Sequence, residues 1–259
     1  MPHLISIIVP TRNNSRDLCR LLESIDTQRT EMIDVHVVDG SSLDTTPIVA
    51  GHYQVAFHVY PCDKDMRGFA RNLGARLSDG EYLMFIDSDM ELSAGVLLEL
   101  QGMIARRPDG IVIPERNIAR GIIDRLRTWE RGVIAGQLEL CAARLVRRDL
   151  FVRAGGFDER ILGFEDLDLQ ATLLELGARL ERSRTPIMHH EESLSLVGYL
   201  RKRRYYRQSA RLFRIKHPHL AKRIFSPLER LRLYVKGIRG INDLAPFLLA
   251  IALRTLESV

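Results

Sequence analysis

Short apolar runs at residues 4–9, 33–38, 55–60 and 82–86 alternate with helix-like segments at 16–28, 68–77 and 94–106, and with a polar turn after the second run. Runs this short suit strands covered on both faces, and their alternation with helices argues for an α/β fold around a mostly parallel, Rossmann-like central sheet. Open sheets of this kind bind ligands beyond the carboxyl ends of their strands. The strand ends therefore constrain function as well as fold. The run Tyr82-Leu83-Met84-Phe85-Ile86 ends in Asp87-Ser88-Asp89, a D-x-D pattern with two carboxylates one residue apart. Hard oxygen donors at such a place suit Mg2+ or Mn2+, ions that keep water and share their coordination with substrate phosphates. The same three residues are equally able to turn the chain and cap a following helix.

Two further strand ends carry polar loops, Pro10-Thr11-Arg12-Asn13 and Asp39-Gly40-Ser41-Ser42-Leu43-Asp44-Thr45-Thr46. On one sheet edge with Asp87 and Asp89, these loops would frame a cleft for a base, a ribose and a diphosphate. Asp39 can accept from a ring N–H of a base, or it can hold its own turn. Arg71, near the start of a helix, is placed to meet phosphate oxygens. No G-x-G-x-x-G follows a strand and no G-x-x-x-x-G-K-[ST] occurs, which argues against a dinucleotide-dependent dehydrogenase and a P-loop NTPase.

The second half is less regular. Residues 114–136 hold the single tryptophan, Trp129, among five arginines and read as a mobile flap. Residues 138–146 read as a strand, 147–154 as a short helix and 155–159 as a turn, and a helical pattern resumes near Glu165. Cys19, Cys62 and Cys141 lack any C-x-x-C spacing, so they read as reduced, buried thiols and not as a zinc site or disulfide framework. The amino terminus lacks the pattern of a secretory signal, which gives a cytoplasmic expectation.

Charge divides the chain. Its net +5 conceals a segment, residues 199–239, with fourteen Lys or Arg against one acid, Glu229, so the remainder is acidic. This suggests a catalytic body over 1–192 and a basic, amphipathic helical extension over 193–259. Tyr199, Leu200, Tyr205 and Tyr206 interleave with the cations, as in helices that lie in the headgroup plane of an anionic membrane. A polyanion-binding face or an ordinary solvated face are the alternatives, and charge alone specifies no nucleic-acid sequence. The apolar run at 246–253 is too short to span a bilayer.

In order along the chain stand Ile8-Val9-Pro10-Thr11-Arg12-Asn13, Val37-Val38-Asp39-Gly40-Ser41-Ser42, Ala70-Arg71-Asn72, Phe85-Ile86-Asp87-Ser88-Asp89, Gly155-Gly156-Phe157-Asp158-Glu159 and Gly163-Phe164-Glu165-Asp166-Leu167-Asp168. Together they resemble the inverting family 2 glycosyltransferases with the A-type nucleotide-sugar fold. The resemblance implies a UDP- or GDP-sugar donor bound by Pro10, Thr11, Arg12, Asn13, Asp39, Gly40, Ser41, Arg71, Asp87 and Ser88. It implies a Mn2+ or Mg2+ ion on Asp89, helped by Asp87 and completed by a histidine, His189 at strand spacing from Ile187 or else its neighbour His190. It makes Asp166 the general base and Glu165 an acceptor or sugar contact. A glycan or lipid-linked acceptor at the cytoplasmic membrane face is expected from the attachment read in the basic extension, not from an acceptor motif. Ser41 departs from the glycine more often found there. The rivals are a nucleotidyltransferase, which also uses paired aspartates, and a non-catalytic membrane or polyanion adaptor on the same fold.

Overall fold

The computed structural model describes residues 3–62, 66–118, 121–134, 137–190 and 195–257. The first half runs β1 (Ile5–Thr11), α1 (Ser15–Asp26), β2 (Ile33–Asp39), α2 (Thr46–Ala50), β3 (Ala56–Val59), α3 (Arg67–Leu77), β4 (Tyr82–Phe85), β5 (Met90–Leu92) and α4 (Val96–Ile104). There follow β6 (Gly110–Val112), β7 (Glu115–Asn117), α5 (Ile122–Ile134), β8 (Ala143–Arg147), α6 (Arg148–Arg153), α7 (Glu165–Glu175), β9 (Leu180–Arg182) and β10 (Ile187–His189). The basic segment forms α8 (Leu196–Lys216), α9 (Pro218–Phe225) and α10 (Pro227–Gly237), and α11 (Leu244–Glu257) ends the described chain.

Among the described residues, seven strands form one sheet in the order β3-β2-β1-β4-β8-β6-β9. β1, β2, β3 and β4 are parallel, as are β6 and β9, while β8 runs antiparallel to both β4 and β6. A second, three-stranded sheet, β5-β10-β7, sits beside the D-x-D turn. The expected α/β architecture is thus observed, with one reversed strand in the second half.

Side-chain alternation explains the layers. Ile5, Ile7 and Val9 of β1 pack with Leu18, Leu21 and Leu22 of α1 and Leu97 and Leu100 of α4 on one face. Ile8, one residue out of phase, joins Val38, Phe85, Ala70 and Leu169 on the other. The helix α3 lies close to this second face because Gly74 carries no side chain. A Cβ there would stand 2.5 Å from Ile8 Cγ2 and 3.1 Å from Val38 Cγ2.

Three expectations are corrected. The proposed flap is mostly the helix α5, whose Ile123 and Leu126 are buried. Apolar residues at 123, 126, 129 and 133 give it one packed side, and its arginines obscure that stripe in the sequence. The strand proposed over 138–146 begins only at Ala143, after a turn of 3-10 helix at Leu138–Leu140. The three cysteines are free but half-buried.

The basic extension packs on the body. Tyr199, Tyr234, Ala250 and Leu253 form a third core with Ile123 and Leu126 of α5, against which Trp129 and Phe247 also pack. The boundary expected at 192/193 lies outside the described residues. No helix among the described residues is long and apolar enough to cross a membrane.

Substitution Gly74→Ala is expected to destabilise the protein by about 1–3 kcal/mol through overpacking. Gly102→Ala in α4, where a Cβ meets nothing within 4 Å, should instead stabilise by up to ~1 kcal/mol through helix propensity. Urea denaturation midpoints of the two variants check the opposite signs.

Candidate active site

The strand ends converge as the sequence suggests, with one adjustment. Pro10 and Thr11 belong to β1 and not to the loop, which starts at Arg12. The Ile8 carbonyl accepts from the Ile86 N–H at 3.1 Å, and Pro10, two residues on, points the same way but beyond the β1–β4 pairing. Its missing N–H therefore costs no ladder bond. The Thr11 hydroxyl beside it is buried without a hydrogen-bond partner.

Asp39, at the end of β2 and 1% exposed, accepts from the Ser42 backbone N–H at 2.8 Å and the Ser42 hydroxyl at 2.5 Å. The turn-holding role is thus observed. Asn13 takes a left-handed φ of 49° and ties the two loops together, accepting from Leu43 N–H and donating its own N–H to Ser42 Oγ, each at 2.7 Å. Ser41 is also left-handed, φ 55°, where glycine would be unstrained. Its hydroxyl donates to the Tyr60 carbonyl at 2.8 Å and helps to hold that conformation. Arg12 is exposed, with Nη1 3.8 Å from Cys62 Sγ. The Asn14 amide donates to the Ser88 hydroxyl at 3.0 Å and joins this loop pair to the D-x-D turn.

Around that turn lies a lattice of alternating charges. Arg71, fully buried in α3, reaches Asp87 at 2.5 Å, Glu165 at 3.1 Å and Asp166 at 3.2 Å, and its guanidinium stands over the Phe157 ring at 5.2 Å. Arg144, from β8, reaches Glu115 at 2.7 Å, Asp87 at 3.4 Å and Asp166 at 3.7 Å. Arg131, from α5, pairs with Glu115 at 2.5 Å and lies 2.8 Å from His189 Nδ1. His189 closes the lattice with Nε2 3.3 Å from Asp89 Oδ2.

Burial alone would disfavour the charged forms of Asp87, Glu115, Arg71, Arg144 and His189, so for these five the pairings decide protonation. Burial pushes the Asp87 carboxyl up, but Arg71 and Arg144 outweigh it and hold it well below the usual range. Glu115 is depressed in the same way, by Arg144, His189 and Arg131. Against burial, Asp166, Asp87 and Glu165 raise Arg71, and Glu115, Asp87 and Asp166 raise Arg144. His189 rises to about 9, because hydrogen bonds to Asp89 and Glu115 exceed the cost of burial.

The lattice brings Arg71, Asp87, Asp89, Glu165, Asp166 and His189 together. His190 stands apart: its Nε2 meets Glu91 at 2.6 Å, because neighbours on a strand point to opposite faces. Glu165 is 3% exposed and its Oε2 is buried without a partner. Asp89 and His189 offer one oxygen and one nitrogen on the same spot, and a divalent ion there would take its other ligands from water and diphosphate oxygens. The donor set fits such an ion. Among the described residues, a cluster of three side chains of metal-ligand type occurs elsewhere, at His3, Asp34 and Asp79.

Sequence reasoning missed Arg144 and Glu115 and left Arg131 in the flap. A signal was present for two of them. Arg144 is a charge inside an apolar strand, and Glu115 follows Ile111-Val112-Ile113-Pro114 much as Asp87 follows its own run.

Residues 6–140 match the sequence profile of glycosyl transferase family 2. The chain belongs to that family. Within it, a pre-mycofactocin glycosyltransferase of Mycobacterium tuberculosis is 27% identical over 236 residues, covering 83% of this chain and 48% of that protein. An uncharacterized glycosyltransferase of Haemophilus influenzae is 25% identical, covering 66% of this chain and 62% of that protein. The chain thus spans about half the length of the first relative and under two thirds of the second. The A-type fold of the family is shared with S. aureus TarS 1-349 in complex with UDP-GlcNAc, at TM-score 0.66 and 18% identity, covering 96% of this chain and 79% of that one. It is also shared with the mannosyltransferase PcManGT of Pyrobaculum calidifontis in complex with GDP-Man and Mn2+, at TM-score 0.58 and 19% identity, covering 98% and 70%.

Replacing Arg71 by Met removes the close counter-charge of buried Glu165 and leaves Asp87 with Arg144 alone, and a loss of about 3–5 kcal/mol is expected. Arg12→Met, at the exposed loop, should stay within about 0.5 kcal/mol. Chemical denaturation of the two variants measures the difference.

Proposed function

We propose that this family 2 protein is an inverting hexosyltransferase that moves a sugar from a UDP- or GDP-sugar to an acceptor hydroxyl, with Mn2+ or Mg2+ as cofactor. One observation carries the reading: Asp166 and Asp87 share the guanidinium of Arg71, at 3.2 and 2.5 Å. A candidate base and a candidate diphosphate-site residue therefore flank one fixed cation.

In this reading Pro10, Thr11, Arg12, Asn13, Asp39, Gly40 and Ser41 frame the nucleoside, and Arg71, Asp87 and Ser88 face the diphosphate. The buried, unpartnered Thr11 hydroxyl supports a ligand contact there. Asp89 and His189 would hold the ion, which supplies Lewis-acid neutralisation of the leaving diphosphate. Since His189 is otherwise protonated well above neutrality, it must release that proton to become a ligand. Arg71 and Arg144 fix the Asp166 carboxylate. Asp166 takes the acceptor's proton while the acceptor oxygen bonds to the anomeric carbon, and the opposite bond to the diphosphate breaks with its electron pair leaving on oxygen. The buried, unpaired Oε2 of Glu165 suits a hydroxyl of sugar or acceptor. The UDP-GlcNAc and GDP-Man carried by the fold neighbours, and the Mn2+ of one, support this donor class and cofactor by analogy.

Residues 1–192 would then carry catalysis and 193–259 the attachment to the anionic, cytoplasmic face of a membrane. The support is an exposed stripe on α10, Leu228, Leu231 and Val235, flanked by exposed Arg232, Lys236 and Arg239. Such stripes bury apolar side chains at the headgroup boundary while cations meet anionic lipid.

Asp166→Asn is expected to lower transfer by at least about 10²-fold while a thermal shift with donor and Mn2+ persists. Turnover at the native rate would remove Asp166 from the mechanism. The double variant Leu231→Glu, Val235→Glu should fail to sediment with anionic liposomes that carry down the native protein, and equal sedimentation would refute the attachment. Truncating the extension would be a poor test, since its helices share a core with α5.

A further inference from the structure

A cavity of about 300 Å3 lies between α5, α8 and α10, outside the charge lattice but against it. Its apolar lining includes Ile134, Leu167 and Leu233, with the rings of Tyr199, Tyr206 and Tyr234. Its charged lining is Arg127, Arg131, Arg223 and Arg230 with Glu130, which accepts from the Tyr234 hydroxyl; Arg131 pairs with Glu115 and Arg223 with Glu139, each at 2.5 Å. Two wall residues lead to the site, and a third, Leu167, stands next to Asp166 along α7. Arg131 pairs with Glu115 and lies against His189. The Tyr206 hydroxyl accepts from Arg67 at 3.2 Å, and Arg67 lies 3.9 Å from Glu165.

The backbone is shaped for this wall. Gly163, two residues before Glu165, has φ +79°, and a Cβ on it would stand 2.1 Å from the Tyr206 ring. The aromatic wall thus rests on the loop that leads into α7 and the candidate base. Neither the donor nor its ion calls for an apolar, tyrosine-lined cavity beside that loop.

We infer that this cavity is the acceptor site, and that the acceptor is an amphiphile with an apolar body and an anionic group. This rests on the transferase reading above and adds a substrate class to it. Cavities of this size that combine apolar walls with a few convergent polar groups suit small ligands. The guanidinium of Arg230, which donates to the Ile224 carbonyl, suits a negative charge and disfavours a cationic acceptor. A purely hydrophilic glycan would leave the apolar wall without a partner. The amphiphile would lie with its body among Leu167, Leu233 and the tyrosines, its reacting hydroxyl toward Asp166.

Trp129 is the chain's single tryptophan, and its ring centre lies 5.2 Å from that of Tyr234, so its emission reports on the cavity. Titration with decyl phosphate, below the concentration at which it forms micelles, is expected to give a saturable change. Inorganic phosphate should bind at least tenfold more weakly. Leu233→Glu should weaken decyl phosphate at least tenfold, and Arg230→Gln should weaken decyl phosphate while leaving octanol nearly unaffected. A response that does not saturate, or one unchanged in both variants, would overturn the assignment. So would a loss in Val235→Glu, on the exposed side of α10, equal to that in Leu233→Glu, since the probe would then sit on the surface. Saturating decyl phosphate should also slow donor hydrolysis, and hydrolysis at the native rate would refute the acceptor role. Thermal shifts with UDP- and GDP-sugars test the donor site separately. Their absence beside intact decyl phosphate binding would overturn the transferase reading, whereas the reverse pattern would overturn only the cavity assignment.

Discussion

Arg71 is the charge on which the site is assembled. A guanidinium with no solvent exposure is costly to bury, and the fold surrounds it with carboxylates from two elements: Asp87 at the end of β4, and Glu165 and Asp166 at the start of α7. Each of those acids is itself costly away from water. Glu165, the most buried of the three, depends on the arginine most closely. The consequence is geometric: α3, the D-x-D turn and the first turn of α7 are locked to one planar group, and Arg144 repeats the clamp from the reversed strand β8. Preorganised groups of this kind are what transfer chemistry requires, since they need not reorganise as charge moves to the leaving diphosphate.

The basic extension takes part in the same construction. Asp168, 2% exposed and one turn into α7, accepts from Lys216 at 2.7 Å and meets His217 Nε2 at 3.0 Å, and His217 Nδ1 reaches Glu175 at 2.9 Å. The junction of α8 and α9 therefore braces the helix that presents Asp166. On another side, Trp129 and Tyr234 join α5 to α10, and α5 delivers Arg131 to the lattice. What reads as a detached, charged tail supports the site from two directions.

Some acidic residues were legible because their context was local. Asp87 and Asp89 stand at the end of an apolar run, and Glu165-Asp166 stand at a helix start beyond a glycine-rich turn, so position in the sequence implied position in the sheet. Arg144, Glu115 and Arg131 were not legible in the same way. Local signals set Arg144 and Glu115 apart, but the roles of all three depend on β8 running antiparallel beside β4 and on α5 packing against β7, which are long-range choices. The arginine-rich stretch at 114–136 misled for a physical reason. Its cations dilute the apolar stripe of α5, because two of that stripe's partners, Tyr234 and Phe247, lie more than one hundred residues away in the chain.

The sequence by itself determined the alternating strands and helices, the parallel half of the sheet, the sheet edge that carries the candidate site, and the ordered motifs that mark family 2. These follow from short-range periodicity and from residues whose chemistry is plain in place. Only the tertiary structure decided that the ring of His189 and not that of His190 meets the Asp89 carboxylate, that Asp39 holds its own turn, that Asp87 is committed to two arginines, and that the basic segment packs on the body around a cavity. The reason is common to all four. Each depends on which charged and apolar groups from distant parts of the chain are buried together, and burial is a property of the packed molecule.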